Sequence, residues 1–228
     1  KKMKKQIIIL MIVLLTGFFG YAQGLYQKTE QFKASNGLSI TLIHCDTVNA
    51  QVSVNAFINY GTNSDRVATE GIAEIMATVF QEGCEKYPKD SMAVEWSRLN
   101  TNLKINVTPV YTQLSFETDK KNIEKGLMLL GALLAAPAFN DAWLKQQQLQ
   151  LRTANAVATL PPNVLCARVA AGFANPVLDL PRLNQFSSIN TEGLNEVYKL
   201  FYSPLNTQLL IAGALNSKEL KKVVDSCF

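Results

Sequence analysis

At 228 residues and 48% hydrophobic content, the chain is long enough to bury one large core or two small ones. Its formal charge of +4 comes from Lys1, Lys2, Lys4 and Lys5, and the remainder carries 18 basic against 18 acidic residues. That neutrality, with no basic stripe along the sequence, excludes a nucleic-acid binder and a protein held electrostatically on an anionic membrane.

The four lysines precede an apolar stretch, IIILMIVLLTGFF (7–19), and then GYA (20–22). A positive head, a short apolar run and small residues at the cleavage positions make a secretory signal peptide, with cleavage expected after Ala22. The 13 residues of the apolar run fall short of the ~20 that a membrane-spanning helix needs. No second long apolar run follows, so the mature chain is expected to be exported, periplasmic or secreted, without a membrane span. Met3 is the expected start, and the stop at VVDSCF, directly after a helical stretch, points to a longer reading frame.

Asn36-Gly37 separates two runs, LYQKTEQFKAS (25–35) and LSITLIHC (38–45), and marks a β-hairpin. NAQVSVNAFINY (49–60) alternates as a third strand, and GTNSDR (61–66) is a polar turn. A helix is predicted from about Thr69 to Gln81, closed near Gly83. Pro88 and Asp90 open a second helix through Asn100. NLKINV (102–107) and YTQLSFET (111–118) are strands separated by Thr108-Pro109. Asp119 is placed to cap a helix over 120–136 that Pro137 stops. A long helix covers 141–160, and 163–174 is a further helix. The stretch 175–188 reads as a loop, 191–202 as a helix, 207–215 as a strand, and a last helix starts at Ser217. Strands in blocks with helices between them predict an α+β fold: a mostly antiparallel sheet with helices packed on one face. The chain thus divides into a signal peptide (1–22) and one lobe (23–228).

Single residues carry little chemistry by themselves. Cys45, Cys84, Cys166 and Cys227 are scattered without C-x-x-C spacing, and export permits disulfides without specifying a pairing. His44-Cys45-Asp46 lies at a strand end, where neighbouring side chains point to opposite faces. Asn106-Val107-Thr108 forms a glycosylation sequon. No G-x-S-x-G frame and no phosphate-binding glycine loop occurs. Trp96 and Trp143 sit in helical patterns as core residues.

Four stretches, in order, carry a resemblance. They are NGLSITLI (36–43), INYGTNSD followed by EGIAEIMATVFQEGCEKYP (58–65 and 70–88), LLAAPAFNDAWLKQQ (133–147) and FYSPLNTQLLIAGALN (201–216). Their order and spacing resemble the first lobe of the pitrilysin/insulinase family of zinc peptidases, which includes the mitochondrial processing peptidase. The likeness covers about residues 25–228 and implies a second lobe beyond Phe228. The family's chemistry rests on H-x-x-E-H on a helix: two histidines bind zinc, the glutamate is the general base for the metal-bound water, and a further glutamate downstream completes the site. Carried onto this chain, those positions are Glu74, Ala77 and Thr78, with the third ligand near Ala154 or Asn155. Of these only Glu74 offers a strong metal donor. The chain has one histidine, His44, and no glutamate between Glu124 and Glu192.

The resemblance therefore implies no catalytic residue, no metal and no cofactor in this lobe, with zinc expected only in an active partner subunit. In active relatives a peptide adds a strand to a sheet edge, held by main-chain bonds. Lys104–Thr108 resembles that edge, with Asn106 and Val107 at its peptide-contacting positions, and Pro109 removes a main-chain donor just after it. The leading expectation is a non-catalytic homologue that closes a peptide-binding chamber with an active zinc-peptidase subunit. A stand-alone exported binding or structural module on the same fold is the alternative. A metallopeptidase using Glu74 with unusual ligands is the third reading.

Overall fold

A computed structural model describes residues 28–45, 51–65, 71–157 and 189–228. The signal peptide, the helix expected over 163–174, the loop over 175–188 and Cys166 lie outside the described residues, as do the side chains of 150–157.

Six strands form one sheet: β1 (Thr29–Lys33), β2 (Ser39–Ile43), β3 (Gln51–Ile58), β4 (Lys104–Val107), β5 (Thr112–Asp119) and β6 (Thr207–Ala212). The helices are α1 (Ile72–Gln81), α2 (Lys89–Arg98), α3 (Ile123–Ala135), α4 (Asp141–Val157), α5 (Thr191–Phe201) and α6 (Ser217–Cys227). The strands lie in the order β1-β2-β6-β3-β5-β4. Every pairing is antiparallel except β2 with β6.

Alternation explains why the helices gather on one side. Val52, Val54, Ala56 and Ile58 of β3 are buried, as are Leu114 and Phe116 of β5 and Leu209 and Ile211 of β6. The alternate residues Ser53, Asn55, Ser115 and Gln208 turn to the other face, because successive strand side chains point to opposite sides. The buried face receives α1, whose Ile72, Ile75, Met76, Val79 and Phe80 are all within the core. Trp96 of α2 packs on Phe116 with ring centroids 5.0 Å apart. Leu127, Leu129, Leu130 and Leu133 of α3 add a further buried stripe.

The first hairpin forms where Asn36-Gly37 marks it, with a three-residue loop. Ala34 N–H donates to Leu38 O at 2.9 Å, and Gly37 takes a φ of +90°, which a residue without Cβ adopts at least cost. Asn36 is used twice: its Oδ1 accepts from Leu38 N–H and its Nδ2 donates to Phe228 O. Asp119 departs from expectation. It ends β5 and caps nothing with its side chain, because a 3-10 turn (Lys120–Asn122) intervenes before α3.

Candidate functional site

Helix α1, which carries Glu74, Ala77 and Thr78, packs against β4, the strand at one margin of the sheet. What holds its start in place comes from a distance in sequence. Asp65 reaches over six residues to accept from Gly71 N–H at 3.0 Å and from Ala73 N–H at 3.4 Å. These are donors that a helix N-terminus leaves unsatisfied. Gly71 sits at φ +90°, the left-handed bend through which the chain enters the helix. The Tyr60 hydroxyl, at the end of β3, donates to the other carboxylate oxygen of Asp65 at 2.5 Å. A strand end, a turn and a helix start are thereby tied to one carboxylate.

Burial sets the electrostatics of this cluster. It pushes Asp65 up to about 6, with the charge of Glu74 adding to the rise, while Tyr60 and the N–H groups of Ala73 and Gly71 pull the other way. Burial also lifts the Tyr60 phenol above its ordinary range, with Asp65 adding to the rise, and does the same for Tyr202. Tyr202 closes the cluster from the end of α5: its ring lies 5.7 Å from Tyr60 and 5.5 Å from Phe80.

The residues at the motif positions do not make a zinc ligand set. Ala77 contributes a methyl group and is 8% exposed. The Thr78 hydroxyl donates to Ile75 O of its own helix at 2.7 Å. His44 follows the end of β2, with three strands between β2 and β4, and bonds Glu30 at 3.1 Å. Ala154 and Asn155 fall in the last turns of α4, where no side chain is described. Among the described residues no group of three or more His, Cys, Asp or Glu is placed to hold a metal ion. Cys45, Cys84 and Cys227 are free thiols.

The margin strand is ordered differently from expectation. Thr108 N–H donates to Tyr111 O at 2.9 Å, which makes that pair hydrogen-bonded. By alternation Asn106–Gln113 and Lys104–Ser115 are hydrogen-bonded too, whereas Ile105–Leu114 and Val107–Thr112 are not. The main chain of Asn106 is therefore taken up by β5. The groups that point outward belong to Ile105 and Val107, and no described residue bonds them. Asn106 offers only its side chain, on the open face. Pro109 costs the strand no donor, since it lies in the turn after β4, where its carbonyl accepts from Asn63 N–H at 2.9 Å.

A margin strand beside a helix with this spacing is the arrangement that the resemblance implies, and comparison with known proteins decides it. Residues 41–184 match the family described as Insulinase (Peptidase family M16).

The chain belongs to the insulinase family, peptidase family M16.

Solved structures of two proteases and of an M16 domain share the fold. A protease from Helicobacter pylori superposes with a TM-score of 0.78 at 15% identity, covering 89% of this chain and 50% of that one. The periplasmic protease PqqL from Escherichia coli gives 0.76 at 16% identity, covering 89% of this chain and 24% of that one. A peptidase M16 inactive domain from Pseudomonas fluorescens gives 0.77 at 13% identity, covering 88% and 50%. At such identities the likeness is one of fold. The chain spans half or less of the length of these proteins. No curated protein matches it. No helix among the described residues is long and apolar enough to cross a membrane.

Sequence reasoning missed Tyr60, Asp65 and Tyr202. The signal available for Asp65 was an acidic residue in a polar turn just upstream of a helix, but a cap six residues from Gly71 falls outside the local N-cap pattern.

Proposed function

We propose that this M16 lobe is non-catalytic, is exported to the periplasm or secreted, and closes a peptide-binding chamber with an active zinc-peptidase subunit. One observation carries the reading: the margin strand keeps outward main-chain groups at Ile105 and Val107 beside a helix whose motif positions hold Glu74, Ala77 and Thr78. Peptide can be held there by strand addition, which needs backbone and not metal. Hydrolysis needs three zinc ligands and a base for the bound water, and an alanine methyl removes no proton. The existence of a related domain described as inactive supports such a role.

The test is purification of the full-length protein alone and together with a zinc-motif M16 subunit from the same source, with metal analysis and a peptide-cleavage assay. The expected result is no stoichiometric zinc and no cleavage alone, and co-elution with the zinc subunit. Stoichiometric zinc in the isolated protein, with cleavage that a chelator abolishes, overturns the reading. Peptide binding by a protein that never co-elutes with a zinc subunit would instead make it a stand-alone module.

A further inference from the structure

On β4, Lys104 and Asn106 are exposed on the open face, while Ile105 and Val107 are half-buried on the side of α1. Among the described residues the Lys104 ammonium has no hydrogen bond or ion pair. An edge lysine resists a strand of like charge, and it is matched by one that brings a carboxylate. Register decides where that carboxylate must stand. A strand added outside β4 in the antiparallel sense, the more stable one, exchanges hydrogen bonds with Ile105 and Val107. Lys104 and Asn106 then fall in non-hydrogen-bonded pairs, where opposed Cα atoms lie about 4.5 Å apart and side chains are closest. Opposed residues share a face, so the side chain opposite Lys104 emerges beside its ammonium. Because the added strand runs against β4, its residues opposite Val107, Asn106, Ile105 and Lys104 follow one another in that order.

Two acids could oppose such a guest. Glu117 shares a polar recess of about 260 Å³ with Lys104, Ser115 and Asn102. Ser115 stands opposite Lys104 on β5, and Glu117 is two residues further along. A guest residue opposite Lys104 therefore lies two strand spacings across and two residues along from Glu117, roughly 12 Å. That exceeds the screening length of about 8–10 Å at ordinary salt, so the adjacent ammonium outweighs the carboxylate. Glu74 belongs to α1, which packs on the opposite face of the sheet. We propose that Lys104 selects, in a peptide seated on β4, a carboxylate side chain (Asp or Glu) at the residue that follows the one opposite Ile105. The proposal rests on the peptide-contacting reading of β4 given above.

Fluorescent unstructured peptides containing Val-Gln-Val-X, with X as Glu, Gln or Lys, are titrated into the full-length protein at low ionic strength and followed by anisotropy. The valines match Val107 and Ile105 and pin the register. The Glu peptide is expected to bind about two- to fivefold more tightly than the Gln peptide, and the Lys peptide more weakly by a similar factor. Both differences should shrink at about 0.5 M salt. K104E is expected to reverse the order and K104Q to abolish it, each with the wild-type melting temperature, since the side chain is exposed. Equal binding of the three peptides overturns the assignment of Lys104 and leaves strand addition standing. The wild-type order in K104E overturns it as well. A charge order that V107P leaves intact at full affinity places the peptide off β4 and overturns both readings. Failure of every peptide to bind overturns the peptide-contacting reading and the proposal together.

Discussion

The two margins of the sheet are built to opposite ends. At β1, Lys28 and His44 both contact Glu30, at 2.7 Å and 3.1 Å, and the Lys28 ammonium holds the Glu30 carboxyl down at about 2. Charges on a sheet edge discourage strand addition. At β4 the outward groups of Ile105 and Val107 alternate with exposed Lys104 and Asn106, and the neighbouring helix is held by the half-buried Asp65 carboxylate. One margin carries an ion pair, and the other presents outward main-chain groups that no described residue bonds. The second margin lies against α1, whose motif positions hold Glu74, Ala77 and Thr78.

The comparison can be broken most severely from underneath. Phe116→Ala empties the space between β5 and Trp96 and is expected to cost about 3–5 kcal/mol, read as a lowered denaturation midpoint. Peptide binding at the β4 margin should fall with it. Asp65→Ala comes next: it removes a helix cap and leaves the buried Tyr60 hydroxyl unpaired, for about 2–4 kcal/mol by the same measurement. The acid also makes a pH signature. Its folded value, about 6, lies above its ordinary 3.8, so the fold binds the proton more tightly than the unfolded chain does. Stability from this group is full below pH 3.8 and lost as pH rises through 6. Asp65→Asn should flatten that slope in denaturation midpoints taken from pH 4 to 7.

A matched pair sharpens the comparison with smaller effects. Val107→Pro and Gln31→Pro each delete one outward N–H, on β4 and β1 respectively, since Gln31 lies between the hydrogen-bonded pairs of β1 and β2. Peptide affinity is expected to fall about five- to tenfold in the first, one hydrogen bond's worth, and to stay at the wild-type value in the second. Equal losses would show that the two margins do not differ in function. The smallest effect is expected from Glu30→Gln, which removes a solvent-screened ion pair and should leave the melting temperature unchanged within error.

Much of the fold is legible because burial imposes a period. The alternation Val52, Val54, Ala56, Ile58 announces a strand with one buried face, and the apolar spacing of Ile72, Ile75, Met76, Val79 and Phe80 announces a buried helix. The candidate site was legible in its deficits, since Ala77 and Thr78 can be read without coordinates. It was not legible in its contacts. Period two says which face Asn106 takes, but whether its N–H points to β5 or outward depends on where the turn closes the ladder, and Thr108–Tyr111 sets that.

The sequence by itself determined the kinds and order of the elements, the buried face of each, and the absence of histidine from the α1 motif positions, because propensity, periodicity and donor chemistry are local properties. Only the tertiary structure decided that β6, the last strand, lies between β2 and β3 and pairs parallel with β2. It likewise decided that β4 is left at a margin and that Asp65 governs α1. Those outcomes depend on pairings between segments far apart in the chain, whose energies are set by register and packing after the chain has closed on itself.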